Sequence, residues 1–563
     1  MKPLKALILS GAAVAAVSCI TVDGDVGKDL IDSSLLFDTY TVEFPLEEIQ
    51  MKKSDELSGY STYRLTLGAI RDDVFGLTTR SCAISLVPAL DTLDLGKDPV
   101  PVKFQLHFAC DTVSLSDPAE AHILQNVYVY SLLDTLSVVN TNAGMDIPHG
   151  TELITKGLPI MNGTDSLSME FTDAFARKYI SAIQEIGGAD HVLVSRDYGD
   201  DDDWDDDTVT ESRYKDLMAK IPGIYMESEV PTGTGGRINM FELSCLSVYS
   251  QYYYRNNNVA TLTVNSEYDG VRKDTTFLLI PGEPDMYDET AYTDNDTAFP
   301  QLAFNRTTHE STPGIATGQI LMEGGCGLKP VISALEIQRK TLEQIALMGG
   351  KPENTIINKA SIILPFDMPE DYTDLDRYPA LVSTTIRITD STTGRVAFAS
   401  LTDASASTEN QGDIDRANLQ YAPDITFHVQ EFLTDDLTGK DDRDVWLLNV
   451  HSETIEIASG NQTSAYLQNL AYASYYQNLY GGGMYGMGSM YGSSMYGGGY
   501  YNNYYNYSLM MQYAAAMQSS SSNQTQTITE LDKDNYYRGI LNGPSSGSSR
   551  KPVFRITFSI PKG

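Results

Sequence analysis

Apolar and polar positions alternate with a period of two along most of the chain. Tyr40-Thr41-Val42-Glu43-Phe44 alternates, and so do Val102 to Phe108 and Val127 to Tyr130. Ala260 to Val264, Ser361 to Leu364, Thr384 to Ile388 and Phe554 to Phe558 are β-branched, apolar or alternating runs of similar length. A period of two sends successive side chains to opposite faces of a strand. Many short strands separated by polar turns predict antiparallel sandwiches. The expected fold is mainly β: two antiparallel β-sandwich domains, jelly-roll-like, with a few end-capping helices. Helical spacing is confined to three stretches. Asp173 is placed to cap a helix with Phe175, Tyr179 and Ile183 on one face. A second runs from Ala334 to Met348, with Leu335, Leu342 and Ile345 inward and Gly349, Gly350 and Pro352 as stop signals. A shorter one covers Tyr214 to Ala219. Apolar stripes of this kind are read as core.

The strand Thr275 to Ile280 ends at Pro281-Gly282, and an acidic, turn-rich segment follows to about Pro300. This divides the 563 residues into an N-terminal β domain over 40–281 and a C-terminal one over 298–563. The second domain is interrupted at 457–529, where 73 consecutive positions carry no charge. Residues 472–513 hold 13 of the 35 tyrosines, and Met-Tyr-Gly recurs at 484–486, 490–492 and 495–497. Such a segment builds no ordinary core, because glycine loses backbone entropy on ordering and each tyrosine hydroxyl needs a partner. Tyr and Met do form adaptable contact surfaces. Two readings stand: a sticky loop that orders against an envelope protein, a glycan or its own neighbours, or a tolerated flexible insertion between two late strands.

At the N-terminus Lys2 and Lys5 precede an apolar run from Leu4 to Val17, and Ala16-Val17-Ser18 leads into Cys19. Residues 1–18 read as a secretory signal peptide. The small residues before Cys19 resemble a bacterial lipobox, which implies cleavage before Cys19 and its lipidation with palmitate-like chains. Two or more acyl chains anchor stably, so 19–39 becomes a tether and the body is held at the outer membrane. The alternative is an ordinary cleaved signal with an incidental cysteine. Asp23, Asp25 and Asp29 resemble, in spaced form, the surface-export signals of Bacteroidota lipoproteins, leaving a cell-surface or a periplasmic face open.

Charge narrows the function classes. Lys and Arg total 39 against 75 Asp and Glu, a net charge of −36. Nucleic-acid binding needs clustered cations on phosphate and is excluded as a class. Beyond Cys19 the cysteines are Cys82, Cys110, Cys245 and Cys326, which are either two disulfides or buried thiols. No CxxC spacing occurs, so no zinc site is expected. The acidic run 197–207 invites Ca²⁺, yet it lacks the glycine and glutamate positions of an EF-hand loop and reads better as a solvated charge block. His107, His122, His149, His191, His309, His428 and His451 form no local metal pair, and His107 on its strand reads as a packed histidine. No HExxH, P-loop or Gly-x-Ser-x-Gly sequence is present. No catalytic residue, metal or cofactor is expected.

Several phrases together resemble a known group. Leu67-Gly68-Ala69-Ile70-Arg71-Asp72-Asp73-Val74-Phe75-Gly76 comes first, followed by Gln125 to Leu132. Gly324-Gly325, Ile356 to Ile362 and Tyr537-Arg538-Gly539-Ile540-Leu541-Asn542-Gly543 come later. In this order they are similar to domain-of-unknown-function family 4270, lipoproteins of Bacteroidota, from about Asp25 to the C-terminus. The resemblance implies an exported lipoprotein and carries over one functional residue, Cys19. Physically, Phe75-Gly76 reads as a turn, and Asn358 as a side chain bonding its own backbone where a strand begins. The expected function is a non-enzymatic envelope lipoprotein that binds or scaffolds other components at the outer membrane. The alternative is a carbohydrate-binding surface lipoprotein.

Overall fold

The computed structural model describes residues 36–61, 64–115, 123–136, 142–163, 166–198, 207–242, 259–282, 303–389, 396–406, 412–457, 484–485 and 524–562. The leader with Cys19, Cys245, residues 199–206 of the acidic run, and 458–483 and 486–523 of the insert lie outside them. Strands dominate the described residues, with five α-helices. Every strand pairing among them is antiparallel except one two-residue contact.

The first sandwich is built on two long strands that each serve both sheets. Lys97–Leu115 pairs through residues 97–107 with Val259–Tyr268, then through 110–115 with Gly235–Glu242. The register slips between Met240 and Phe241, leaving Asp111 as an extra residue; a bulge of this kind bends a strand and turns it into the next layer. Gly76–Pro88 does the reverse. Its first half pairs with Arg64–Asp72, and Ser85–Pro88 pairs with Val271–Gly282. Between the layers lie Leu65, Leu67, Ile84, Phe104, Leu106, Phe108, Leu262 and Phe241, all buried. The alternation read from the sequence is the cause: Phe104, Leu106 and Phe108 point in, while Lys103, Gln105 and His107 point out.

One end of this core is closed by the helix Asp173–Gly187. Tyr179 meets Phe104 edge-on with ring centroids 5.2 Å apart, and Phe175 lies 5.3 Å from Tyr179. Each such ring removed from water is worth about 1.5–3 kcal/mol. The helix cap is Thr172, whose hydroxyl accepts the Phe175 N–H at 3.3 Å, and not Asp173, which occupies the first turn. The helix Tyr214–Lys220 packs beside it through Tyr214, Leu217 and Met218.

The second sandwich faces a sheet ordered Phe37–Pro45, Val553–Pro561, Ile356–Pro365, Gln420–Tyr421 against one built on Ile49–Lys53, Leu328–Ile332, Val445–Ile457, Leu381–Thr389 and Val396–Ser400. Phe44, Phe554, Ile556 and Phe558 from one layer share a core with Ile49, Ile332, Val382 and Leu447 from the other. Helices Ala334–Leu347 and Thr426–Phe432 cover its end. In the first of these Ile337, Thr341 and Ile345 form the buried stripe, and Leu335 is exposed. Leu342 packs against the core and Ile345 is buried, as expected, while Leu335 is not inward; a polar residue, Thr341, holds a core position that counting apolar residues alone passes over.

The division at 281/298 does not match the strand pairing. Phe37–Pro45 and Ile49–Lys53 stand before the boundary yet pair with Val553–Pro561 and Leu328–Ile332. Ala303–His309 stands after it yet adds to Gly76–Pro88 of the first sandwich. Composition along the chain marks where strands are, and long-range pairing decides which sheet takes them. Asn358 likewise differs from expectation. Its Oδ1 accepts the Ser559 hydroxyl at 2.7 Å, and the ladder shifts register between Ile357 and Lys359.

Candidate functional site

Sequence phrases that are hundreds of residues apart meet where the two sandwiches touch. Asp72 ends the strand Arg64–Asp72, and its Oδ1 accepts the N–H groups of Val74 and Phe75 at 2.7 and 3.0 Å. This closes the turn in which Gly76 takes a positive φ of 73°. The other oxygen, Oδ2, accepts the Arg538 Nε at 2.6 Å. Gly324 abuts the Asn535–Tyr537 backbone so closely that a Cβ there would collide with it.

A second polar group lies alongside. Glu323, at the end of the strand Gln319–Glu323, has Oε1 3.2 Å from His309 Nδ1. Its Oε2 accepts the Leu328 N–H at 2.8 Å and the Ser311 hydroxyl at 2.5 Å. Its backbone carbonyl accepts the Asn449 amide at 2.7 Å and the Lys329 ammonium. Lys329 also donates to the Gly325 carbonyl at 3.0 Å. Arg80, from the first sandwich, donates to the Thr307 hydroxyl and lies against Gly325. Lys53 donates to the His309 carbonyl at 2.7 Å. The long-range pairing just described is what brings these residues together.

Burial governs the protonation of this group. It would by itself raise the Glu323 carboxyl, but the His309 ring, the Leu328 N–H and the Ser311 hydroxyl outweigh it and hold the group at about 2. Burial pulls Lys329 down to about 8 against the attraction of Glu323, and it lowers His309 despite the same neighbour. The consistent assignment is a Glu323 anion with a neutral His309 whose Nδ1–H donates to it. His309 Nε2 is buried without a partner, which suits a bare ring nitrogen. Cys326 is raised by burial, with Arg80 and Lys329 opposing.

A serine, a histidine and a carboxylate side by side suggest hydrolysis, but the connections run the wrong way. A nucleophile must bond its base, whereas Ser311 donates to Glu323. The His309 and Glu323 side chains are 4% and 3% exposed, so no substrate reaches them. The arrangement ties two halves together and offers no reacting geometry.

Two other features lie apart from this group. One is a cleft of about 540 Å³ bounded by Thr317, Gly318, Gln319 and Leu321 on one side and Asn542 with Ser545–Ser548 on the other. Its walls are joined by Gly543 N–H to Gly318 O at 2.9 Å and Ser545 N–H to Thr317 O at 2.9 Å. The other is a two-stranded ribbon. Val445–Ile457 and Gln524–Leu531 pair from Val450↔Leu531 outward to Ile457↔Gln524. Among the described residues, His451 to Ile457 pair with no other strand. The uncharged insert therefore leaves and rejoins the fold through adjacent strand ends. Met484–Tyr485 of the insert lies parallel to Phe398-Ala399, at the edge of the second sandwich.

Cys82 and Cys326 are free thiols. His107 faces outward, 2.6 Å from the Ser168 hydroxyl through Nδ1, and is not packed in the core. His428 is buried and bonded to the Arg443 carbonyl at 2.8 Å. Among the described residues no group of three or more His, Cys, Asp or Glu could hold a metal, and no helix is long and apolar enough to cross a membrane. The Glu323 group was missed in the sequence, where its one signal is the run Gly324-Gly325-Cys326-Gly327, a turn folded round a buried carboxylate. Compared with known proteins, the chain matched no family model, no curated protein and no solved structure.

Proposed function

We propose that this protein is a non-enzymatic envelope lipoprotein, anchored at the outer membrane through acylated Cys19, that binds or scaffolds other envelope components through its Tyr-rich insert. The ribbon carries this reading. It joins both ends of an uncharged, tyrosine-dense segment at one register pair, Ile457↔Gln524, so the segment is presented from a single place on the fold. The lipobox-like start and the resemblance to domain-of-unknown-function family 4270 support the anchor. Tyrosine suits the role because it offers large contact area at low entropy cost.

Two experiments test the proposal. Labelled palmitate should mark the wild type and fail to mark Cys19→Ala, which should leave the membrane fraction; an unlabelled wild type ends the anchor reading. Crosslinking in intact cells should capture partners that are lost on deletion of 472–513. An unchanged partner set ends the role of the insert.

A further inference from the structure

We infer that the cleft between Thr317–Leu321 and Asn542–Ser548 is a binding site for a small polyhydroxylated ligand, of the class of short oligosaccharides. Its size falls within the range of small-molecule sites, roughly 300–1,000 Å³. Its chemistry is the stronger argument. A sugar hydroxyl both donates and accepts, so its site needs acceptors and donors placed together on an uncharged or weakly charged wall. Gln319 Nε2 donates to Asp367 Oδ2 at 2.6 Å, which sets an amide and a carboxylate at hydrogen-bond spacing on one wall. Neighbouring hydroxyls of a sugar ring can address both. The opposite wall supplies the serine hydroxyls of 545–548. Among them the Ser546 Oγ is buried without any hydrogen-bond partner. A buried orphan hydroxyl is costly; the Ser546 residue itself is only half-buried, so turning its side chain into the cleft would let a ligand hydroxyl satisfy it.

The remaining lining points the same way. Met51 and Leu321 are half-buried and give the cleft an apolar strip against which the C–H face of a sugar can lie. No Lys or Arg lines the cleft, which disfavours phosphate esters and other anions. Gly318 and Gly547 line it too, and a Cβ on either would meet nothing within 4 Å. Both glycines keep the opening wide, and neither has a positive φ that forbids a side chain. The cleft is made of other residues than the insert, so this inference does not rest on the anchor or on the partner-binding role of the tyrosines.

The test uses the full chain, with maltose, mannobiose, xylobiose and chitobiose at millimolar concentration in saturation-transfer NMR. At least one disaccharide should bind. Gly547→Trp, which fills the opening from an open position, should weaken that binding at least tenfold, and so should Asp367→Asn. Deletion of 472–513 should leave it unchanged. The proposal is overturned if none of the four binds. It is also overturned if Gly547→Trp, folded by its thermal midpoint, binds as the wild type does, or if binding is lost with the insert, which moves recognition to the tyrosines.

Discussion

Glu323 shows how one side chain can hold a junction. Its carboxylate takes a ring N–H, a backbone N–H and a hydroxyl, while its own carbonyl takes Lys329 and Asn449. Breaking a buried charge arrangement by neutralising one member leaves the others uncompensated. Glu323→Gln should therefore cost about 3–5 kcal/mol at pH 7 in urea unfolding; a loss under 1 kcal/mol would show that Lys329 and Arg80 are balanced by other groups. The pH dependence has a defined sign. The folded group at about 2 lies below its ordinary 4.5, so its contribution is present above pH 4.5 and is lost as pH falls toward 2. The Gln variant should lack that component. None of this was legible beforehand. The glycines around Cys326 were visible in the sequence, but the carboxylate they enclose was one of 75 acidic residues, and only the fold distinguishes it. Asp72 was visible in its phrase, whereas its partner Arg538 lies 466 positions away.

Among the elements, alternation gave the strands with fidelity because a half-buried strand leaves a period-two record. Helices followed the same logic where an apolar stripe is intact, as over Phe175, Tyr179 and Ile183. Thr426–Phe432 escaped notice because Thr-Phe-His-Val-Gln-Glu-Phe alternates as a strand would, while its buried face is His428, Val429 and Phe432. Its first turn is held from outside: Asp403 accepts the Phe427 and His428 N–H groups at 2.6 and 3.1 Å. Burial raises Asp403 to about 6, partly offset by those two bonds, and lowers His428 to about 4. The two oppose each other. Asp403 gives stability below its ordinary 3.8 that is lost as pH rises through 6, whereas His428 gives stability above 6.5 that is lost as pH falls through 4. Asp403→Asn removes the first effect alone. Relative to the wild type, its stability should rise by about 2 kcal/mol between pH 4 and pH 6.5, at roughly 1.4 kcal/mol per pKa unit. Paired urea titrations at the two pH values check this, and a flat or falling difference rejects the Asp403 assignment.

For the molecule as a whole, the two sandwiches are laced by strand exchange and by polar ties. Lys533 reaches the carbonyls of Ser58 and Tyr60 at 3.3 and 2.9 Å, and Arg538 reaches Asp72. Calorimetry should give one cooperative transition for the wild type and two for the double variant Lys533→Ala, Arg538→Ala. Separate transitions in the wild type would mean that the ties carry no coupling. Fold class was legible at this scale because it depends on local period. Domain membership was not, because it depends on which distant strand completes each sheet.

The pairing of Phe37–Pro45 with Val553–Pro561, residue 37 opposite residue 561, sets a rule for biosynthesis. The first described β segment to leave a ribosome waits for a partner strand more than 500 positions later before its backbone is satisfied. Such contacts close slowly, since the loop entropy is lost before the contact rewards it. A nascent chain of this protein therefore carries an unpaired strand through most of its synthesis, and removing residues 554–563 should leave Phe37–Pro45 as an aggregation-prone edge.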